Sequence, residues 1–296
     1  MIFKPISLDR QSDYLELLNG CPQVASDYSF LNLWAWADEY GLCWAWEDNL
    51  VWIRQTRPQK VLWAPVGPWD RIDWRARFEE NRNRRTDFIR VPQQLAESWR
   101  TSFGDLAIVE EERGHWDYIY AVGDLTELKG NRYHKKKNLL NQFVKKYEYT
   151  YVPFESELIE QAMAMQDDWC TWRDCESSDI LSAENQSISR IFQNWDQLSG
   201  TLGGAILVDG AMVAYTVAEA LTNQTVVIHF EKGDTQYKGI YQAINQMFLA
   251  YSASHFLLVN REQDLDDAGL RKAKLSYHPV EFLQKYRVTI NGKVQK

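Results

Sequence analysis

Apolar residues in the second half of the chain recur at two spacings, one typical of helices and one typical of strands. Three strand-like runs follow one another, and the first two are joined by Asp209-Gly210, a strong hairpin signal. The pattern predicts the element order β-α-α-β-β-β-α-β-α-β. These elements are expected, in that order, at residues 148–154, 155–169, 182–198, 202–208, 212–220, 224–231, 239–252, 256–259, 267–276 and 285–290.

The first half of the chain repeats nearly the same order, and Gly20 and Gly41 are expected to end its first two helices. Strands are expected at 2–8, 42–46, 50–54, 60–64, 88–91, 106–110 and 116–122, and helices at 9–20, 29–40, from about 71, and at 92–103. The sequence thus predicts two α/β (α+β) units, each a mixed, mostly antiparallel sheet flanked by helices. Their expected bounds are 1–128 and 148–296, joined by a basic linking helix within 129–147.

Composition narrows the class of protein. The chain has 296 residues, of which 45% are hydrophobic and 14% aromatic, and this is enough apolar surface for packed cores and excludes global disorder. No apolar run approaches the ~20 residues of a membrane-spanning helix, and the first residues do not resemble a signal peptide. Four cysteines without a C-x-x-C pair are typical of reduced thiols. We therefore expect a cytoplasmic protein without disulfides.

The net charge of −8 is unevenly distributed, because residues 129–147 contain seven basic residues and no acid. An apolar stripe within this segment predicts an amphipathic helix that packs on a neighbouring element. Its cations are candidates for binding phosphates of tRNA or of a coenzyme, and a merely solvated charged face is the alternative. The candidate phosphate contacts are Arg132, Lys135, Lys136 and Lys137.

Four separated stretches carry distinctive residue patterns: DYSFLNLWAW at 27–36, HWDYIY at 115–120, LKGNRYHKKKN at 128–138, and NREQD through GLRKAKLSY at 260–277. These stretches resemble the phosphatidylglycerol lysyltransferase C-terminal-domain family, and the resemblance extends over roughly residues 3–290. The order of elements is similar to that of the GNAT acyltransferase fold. The resemblance therefore implies two GNAT-like units in tandem, as in the similar Fem-type peptidyltransferases, and an acyl- or aminoacyltransferase activity.

In GNAT folds the phosphates of the acyl donor lie at the N-terminus of the helix after the fourth strand. The resemblance places this loop at Gln236, Lys238, Gly239 and Tyr241. Amide N–H groups at a helix start attract an anion, a glycine allows close approach, and a lysine adds charge. Tyr241 departs from the small residue expected there, which weakens the case for coenzyme A. The alternative is that Gly239 only begins a helix.

The preceding strand offers the acid–base chemistry that acyl transfer needs. Alternation predicts that Val227, His229 and Glu231 share one face of that strand. Glu231 is the candidate general base, which takes the proton from the attacking group, and His229 is expected to orient it or share the task. The alternative is that Glu231 pairs with Lys232 or Arg271 and that His229 belongs to the core.

Further candidates follow the next strand, because ligands bind at strand ends in open sheets. Asn260 is expected to hold a donor carbonyl or amide, and Tyr277 to give a proton to the leaving group. Arg271 and Lys274 are expected to reach phosphate.

These predictions together describe an acyltransferase whose C-terminal unit holds the active cleft. It would move an acyl or aminoacyl group to an amine or hydroxyl of a small-molecule or peptide acceptor. Acyl-CoA and aminoacyl-tRNA both remain open as the donor, so tRNA is a candidate partner, and no tightly bound cofactor or metal is expected. A non-catalytic module that senses a ligand or binds RNA is the alternative.

Overall fold

A computed structural model describes residues 1–79 and 85–292 of the chain, which forms two compact units. Unit 1 consists of Met1–Asp117, Gln263–Ala268 and Phe282–Lys296. Unit 2 consists of Tyr118–Glu262 and Gly269–Glu281. Within the described residues, none of the helices combines the length and the apolar character needed to cross a bilayer.

The sheet of unit 1 has seven strands in its described part, in the order β1-β2-β3-β4-β5-β14-β6. Among the described strand pairs of this sheet, β4 and β5 are parallel and the others are antiparallel. These strands, numbered along the chain, are β1 (Lys4–Pro5), β2 (Cys43–Glu47), β3 (Leu50–Gln55), β4 (Val61–Trp63), β5 (Thr86–Pro92), β6 (Ala107–Glu111) and β14 (Lys285–Ile290). The helices of unit 1 are α1 (Gln11–Asn19), α2 (Phe30–Ala35), α3 (Ala37–Tyr40), α4 (Trp74–Glu79) and α5 (Gln93–Phe103).

A buried network of charges lies inside unit 1. The ammonium group of Lys285 donates to Asp27 and, at 2.7 Å, to Asp117, and all three side chains are fully buried. Arg90 pairs with Asp27 from a second side. Burial raises the pKa of Asp27, but the positive charges of Lys285 and Arg90 outweigh burial and hold that pKa well below its usual range. Two of the stretches that carry the family resemblance thus meet in a structural ion network.

The second sheet, whose strands belong mainly to unit 2, also has seven described strands, in the order β13-β7-β12-β11-β10-β9-β8. The pairing of β11 with β12 is parallel. The strands are β7 (Asp117–Ala121), β8 (Tyr149–Pro153), β9 (Thr201–Val208), β10 (Ala211–Ala220), β11 (Thr225–Gly233), β12 (Leu258–Asn260) and β13 (Glu281–Leu283). The remaining helices are α6 (Val122–Glu127), α7 (His134–Lys146), α8 (Ile159–Arg173), α9 (Asp179–Gln193), α10 (Ile240–Met247) and α11 (Ala268–Leu275).

The basic helix α7 packs on α10, as its apolar stripe predicts. Phe143 is fully buried in a cluster with Ile206 of β9 and Ile240 of α10, and Leu140 and Tyr147 pack against the same cluster. The burial of this stripe fixes the position of α7 against the start of α10.

The predicted fold class is confirmed: each unit is a mixed, mostly antiparallel sheet flanked by helices, in the GNAT order. An exchange of strands was not predicted. Strand β14 lies between β5 and β6 in the first sheet, and β7 lies between β12 and β13 in the second. The compact units therefore differ from the expected division into 1–128, 129–147 and 148–296, because pairing between distant strands leaves no trace in local periodicity.

Cys170 and Cys175 form a disulfide, and the prediction of reduced thiols is wrong for this pair. Helix α8 ends at Arg173, and Asp174, with φ of 53°, turns the chain back in the left-handed conformation. This reversal brings the two Cα atoms to 5.0 Å, which is within the range that a disulfide spans. Cys21 and Cys43 are free thiols.

Candidate functional site

A β-bulge in β11 decides which side chains share a face of the sheet of unit 2. Ala218 pairs with Ile228, but Val217 pairs with Phe230, so His229 is an extra residue in β11. Bulges are common next to active sites, where they redirect side chains. Beyond the bulge, the side chains of β11 point to the faces opposite to those that simple alternation predicts.

His229 and Glu231 consequently lie on opposite faces, and the prediction that they share one is wrong. Val227 pairs with Glu219, whereas Glu231 pairs with Thr216, and these two residues of β10 are three apart. His229 contacts Glu219 and therefore stays on the face of Val227. In this structure His229 does not orient Glu231.

His229 lies between two carboxylates. Its Nδ1 is 2.7 Å from Oε1 of Glu262, and its Nε2 is 3.0 Å from Oε1 of Glu219. The contact with Glu262 follows from the parallel pairing, since the register that sets Val227 beside Asn260 sets His229 beside Glu262. Burial lowers the pKa of His229, but the hydrogen bonds and charges of the two carboxylates outweigh it and raise the pKa to about 9. His229 is therefore an imidazolium at neutral pH.

Glu231 lies on the other face, which α10 covers. Its Oε2 accepts a hydrogen bond from Nη2 of Arg261 at 2.5 Å, and its Oε1 accepts one from Nδ2 of Asn245 at 2.8 Å. Both side chains of the ion pair are largely buried, with 16% of Arg261 and 11% of Glu231 exposed. Burial alone lowers the pKa of Arg261, but the charge of Glu231 raises it above its ordinary value, so the guanidinium stays charged.

Tyr277 joins the same group of side chains. The guanidinium carbon of Arg261 lies 4.8 Å from the centre of the Tyr277 ring, and Nζ of Lys136 lies 4.0 Å from it. The Tyr277 hydroxyl accepts a hydrogen bond from Nε2 of Gln242 at 3.4 Å. Burial raises the pKa of Tyr277, although the charge of Arg261 opposes the rise. We call Glu231, Arg261, Asn245, Tyr277 and Lys136 the Glu231 cluster.

The loop expected to hold the donor's phosphates is engaged by the protein itself. Gly239 has φ of 92° and lies against α7: a Cβ there would overlap the carbonyl oxygen of Leu139 and come within 3.2 Å of Cβ of Phe143. The amide of Gln236 donates to the carboxylate of Asp234 at 2.9 Å. This side of the loop faces a carbonyl oxygen and a carboxylate, which is an unfavourable setting for a pyrophosphate.

The other three predicted residues of the loop differ in how far they are buried. Lys238 and Gln236 are exposed, whereas Tyr241 is half-buried and its hydroxyl lies 3.3 Å from Nε1 of Trp169. Asn245 of the Glu231 cluster is on the same helix, about 7 Å along its axis from the first residue, Ile240. The loop and the cluster are thus neighbours on α10 but separate groups.

Three further predicted residues follow β12. Asn260 is fully buried, and its Oδ1 accepts a hydrogen bond from the amide of Glu262 at 2.8 Å, so it shapes the turn after the strand. The ammonium group of Lys274 donates to the backbone carbonyl of Arg261 and so fixes the base of that side chain. Arg271 is half-buried on α11. Asn260 and Lys274 therefore support the Glu231 cluster through the backbone.

Of the four candidate phosphate contacts, which lie on α7 and just before it, two contact other side chains and two are exposed to solvent. Arg132 pairs with Asp124 at 2.9 Å, and Lys136 packs on Tyr277. Lys135 and Lys137 are exposed, and within residues 1–79 and 85–292 no ion pair involves them. The exposed pair is therefore accessible to a polyanion.

Three residues of the site have no role in the sequence-based predictions. Arg261 and Asn245 belong to the Glu231 cluster, and Glu219 binds His229. Arg261 has a signal in the sequence, because it follows a short buried strand in a stretch rich in polar residues. Glu219 has a weaker signal, a single acid within the otherwise apolar run of β10. Asn245 carries no signal, because only the packing of α10 on β11 reveals its contact.

The order of elements and the two mixed sheets define a GNAT-like fold present twice in one chain. The chain belongs to the phosphatidylglycerol lysyltransferase C-terminal family, whose sequence profile matches residues 19–289. The resemblance found in the sequence is thereby confirmed.

Solved structures agree with this assignment. A conserved protein of unknown function from Bacteroides thetaiotaomicron is 28% identical, with a TM-score of 0.88 over 98% of this chain and 100% of that one. L-PGS from Bacillus licheniformis is 13% identical, with a TM-score of 0.59 over 88% of this chain and 91% of that one. FemX is 7% identical, with a TM-score of 0.50 over 97% of each chain. The last two show a shared fold, and family and fold together relate the chain to GNAT-like transferases.

Proposed function

We propose that this protein transfers an aminoacyl group from aminoacyl-tRNA to a hydroxyl or amine of a small-molecule or peptide acceptor, and that the Glu231 cluster is the reaction site. Support comes from the family, from the carboxylate and phenol that meet in this cluster, and from the basic helix α7 that contributes Lys136 to it.

The reaction is an acyl exchange at an ester. The acceptor's oxygen or nitrogen bonds to the ester carbonyl carbon, and the bond from that carbon to the ribose oxygen breaks. Glu231 takes the proton of the acceptor, because each carboxylate oxygen can accept a further hydrogen bond beside those from Arg261 and Asn245. Tyr277 gives its proton to the ribose oxygen and regains one from Glu231 through solvent. Its raised pKa keeps the phenol protonated until then.

His229 receives a positioning role in this proposal. As an imidazolium held by Glu219 of β10 and Glu262 after β12, it ties together the strands on both sides of β11. Glu262 directly follows Arg261, so this tie fixes the backbone that carries the partner of Glu231.

The observation that carries the choice of donor is the contact between Gly239 and the Leu139 carbonyl. It places α7 on the glycine of the loop where the pyrophosphate of coenzyme A is expected. Aminoacyl-tRNA needs no pyrophosphate site, and Lys135 and Lys137 on α7 offer exposed charge to its backbone. Both facts favour aminoacyl-tRNA over acyl-CoA.

A comparison of the two donors tests the proposal. The protein is incubated with tRNA charged with a mixture of radiolabelled amino acids, or with labelled acetyl-CoA, and a small-molecule cell extract as the source of acceptors. We expect label to leave the tRNA for a new product and not to leave acetyl-CoA. Consumption of acetyl-CoA alone would establish the rival donor, and tRNA binding without turnover would establish an RNA-binding module.

Two variants connect the activity to the site. Glu231→Gln and Tyr277→Phe should each slow transfer by about 100-fold, since general acid–base groups contribute on that scale. Glu281→Gln changes an exposed acid of β13 and serves as the matched control. Equal rates in all three variants would remove the cluster from the mechanism.

A further inference from the structure

One nitrogen of Arg261 has no hydrogen-bond partner in the part of the chain that the structure describes. Its Nη2 donates to Glu231, but its buried Nη1 has no partner among the described residues. A buried donor without an acceptor destabilises a protein, and a charged donor more so, so this nitrogen calls for an explanation. The N–H groups of Nη1 are therefore available to an acceptor that the described part of the chain does not provide.

The charges around this nitrogen point to an anion. Two cations, Arg261 and Lys136, lie against the ring of Tyr277, and Glu231 is the one carboxylate that the described contacts give this group. Burial lowers the pKa of Lys136, and the positive charge of Arg261 lowers it further, which shows that the two cations repel. The group carries a net charge of +1, and an added anion would relieve the repulsion.

We propose that Nη1 of Arg261 and Nζ of Lys136 form a binding site for one phosphodiester anion, beside the ring of Tyr277 that both cations contact. The identity of the anion rests on the proposed function: it is the phosphodiester next to the terminal nucleotide of the donor tRNA.

The surroundings fit a nucleic acid. Lys136 is flanked on α7 by Lys135 and Lys137, both exposed, so positive charge continues from the site to the surface of unit 2. A polyanion can therefore meet several cations along one helix, with its end at Arg261. Guanidinium and ammonium donors both suit phosphate oxygens.

The test uses the dinucleotide cytidylyl-adenosine, which carries one phosphodiester and no aminoacyl group, and measures its affinity by calorimetry. The wild-type protein should bind it, and binding should weaken about tenfold or more in Arg261→Lys and in Lys136→Met, since each loses a charge-assisted contact. Lys145→Met, which removes an exposed cation of the same helix, is the matched control and should bind as the wild type does.

A second probe replaces the phosphodiester by a neutral methylphosphonate and should bind about tenfold or more weakly than the charged dinucleotide. Binding of the charged dinucleotide should also raise the pKa of Lys136 measured by NMR, a readout that remains valid if Arg261→Lys is poorly folded. Equal affinity for both probes, or equal affinity in all variants, would overturn the inference.

Because no aminoacyl group is present, this experiment fails or succeeds independently of transfer. A protein that binds the charged probe through Arg261 but transfers nothing would contradict the proposed function and leave the anion site in place. If the protein transfers the aminoacyl group but binds the probe equally well in the Arg261 and Lys136 variants, the anion site would be contradicted and the proposed function would stand.

Discussion

Deprotonation of His229 should make the protein less stable between pH 7 and pH 9. His229 is raised from an ordinary pKa of 6.5 to about 9 in the folded protein, because Glu219 and Glu262 bind its imidazolium form. The unfolded chain has lost this proton above pH 6.5. The stabilising effect is therefore complete below about pH 6.5 and disappears as the pH rises through 9.

The magnitude follows from the shift. A pKa difference of this size contributes about 2.5 kcal/mol at pH 7 and about 0.4 kcal/mol at pH 9, so the free energy of unfolding should fall by about 2 kcal/mol over that range. The side chain of His229 is 2% exposed, so solvent screens the interaction little.

Urea denaturation at pH 7, 8 and 9 measures this change, and an NMR titration of the histidine side chains gives the pKa directly. The matched control is His229→Gln, which keeps a polar side chain but cannot gain a proton. It should be less stable than the wild type at pH 7, and the difference should narrow by about 2 kcal/mol at pH 9. A difference that stays constant from pH 7 to pH 9, or an NMR pKa near 6.5, would refute the reasoning.

Three more predictions concern stability, each measured by urea denaturation. Gly239→Ala should lower the free energy of unfolding by about 1–3 kcal/mol more than Gly210→Ala does, because both glycines have positive φ but only Gly239 lies against Leu139. Equal losses in the two variants would contradict that contact. Lys285→Met should cost about 3–5 kcal/mol by removing the cation that the buried carboxylates of Asp27 and Asp117 share, and a neutral effect would contradict the ion network. Cys175→Ser should cost about 2 kcal/mol through loss of the disulfide, and unchanged stability under oxidising conditions would argue against the bridge.

Elements that rest on local patterns could be predicted from the sequence. The Asp209-Gly210 turn joins β9 and β10, with both residues at positive φ, because few other residues adopt that conformation easily. The apolar stripe of α7 likewise predicted a packed helix, and Phe143 is buried in the core of unit 2. Glu231 could be named as a candidate base because it lies at a strand end beside the expected donor loop, and neither feature depends on a distant contact.

Features that depend on pairing between distant segments could not be predicted. Because His229 is an extra residue in β11, the side chains after it point to the opposite face of the sheet. The bulge requires no particular residue type, so the sequence pattern does not reveal it. Arg261 reaches Glu231 only because β12 pairs with β11 in parallel, thirty residues further along the chain. The closeness of Leu139 to Gly239 is hidden for the same reason, and it changes how the donor loop is interpreted.

A single-turnover experiment tests the central claim most directly, because it observes the chemical step at Glu231. Charged tRNA is mixed with excess protein and the acceptor extract, and the loss of the aminoacyl ester is followed by rapid quench. We expect transfer by the wild type and a rate about 100-fold lower for Glu231→Gln. Equal single-turnover rates for the two proteins would contradict it.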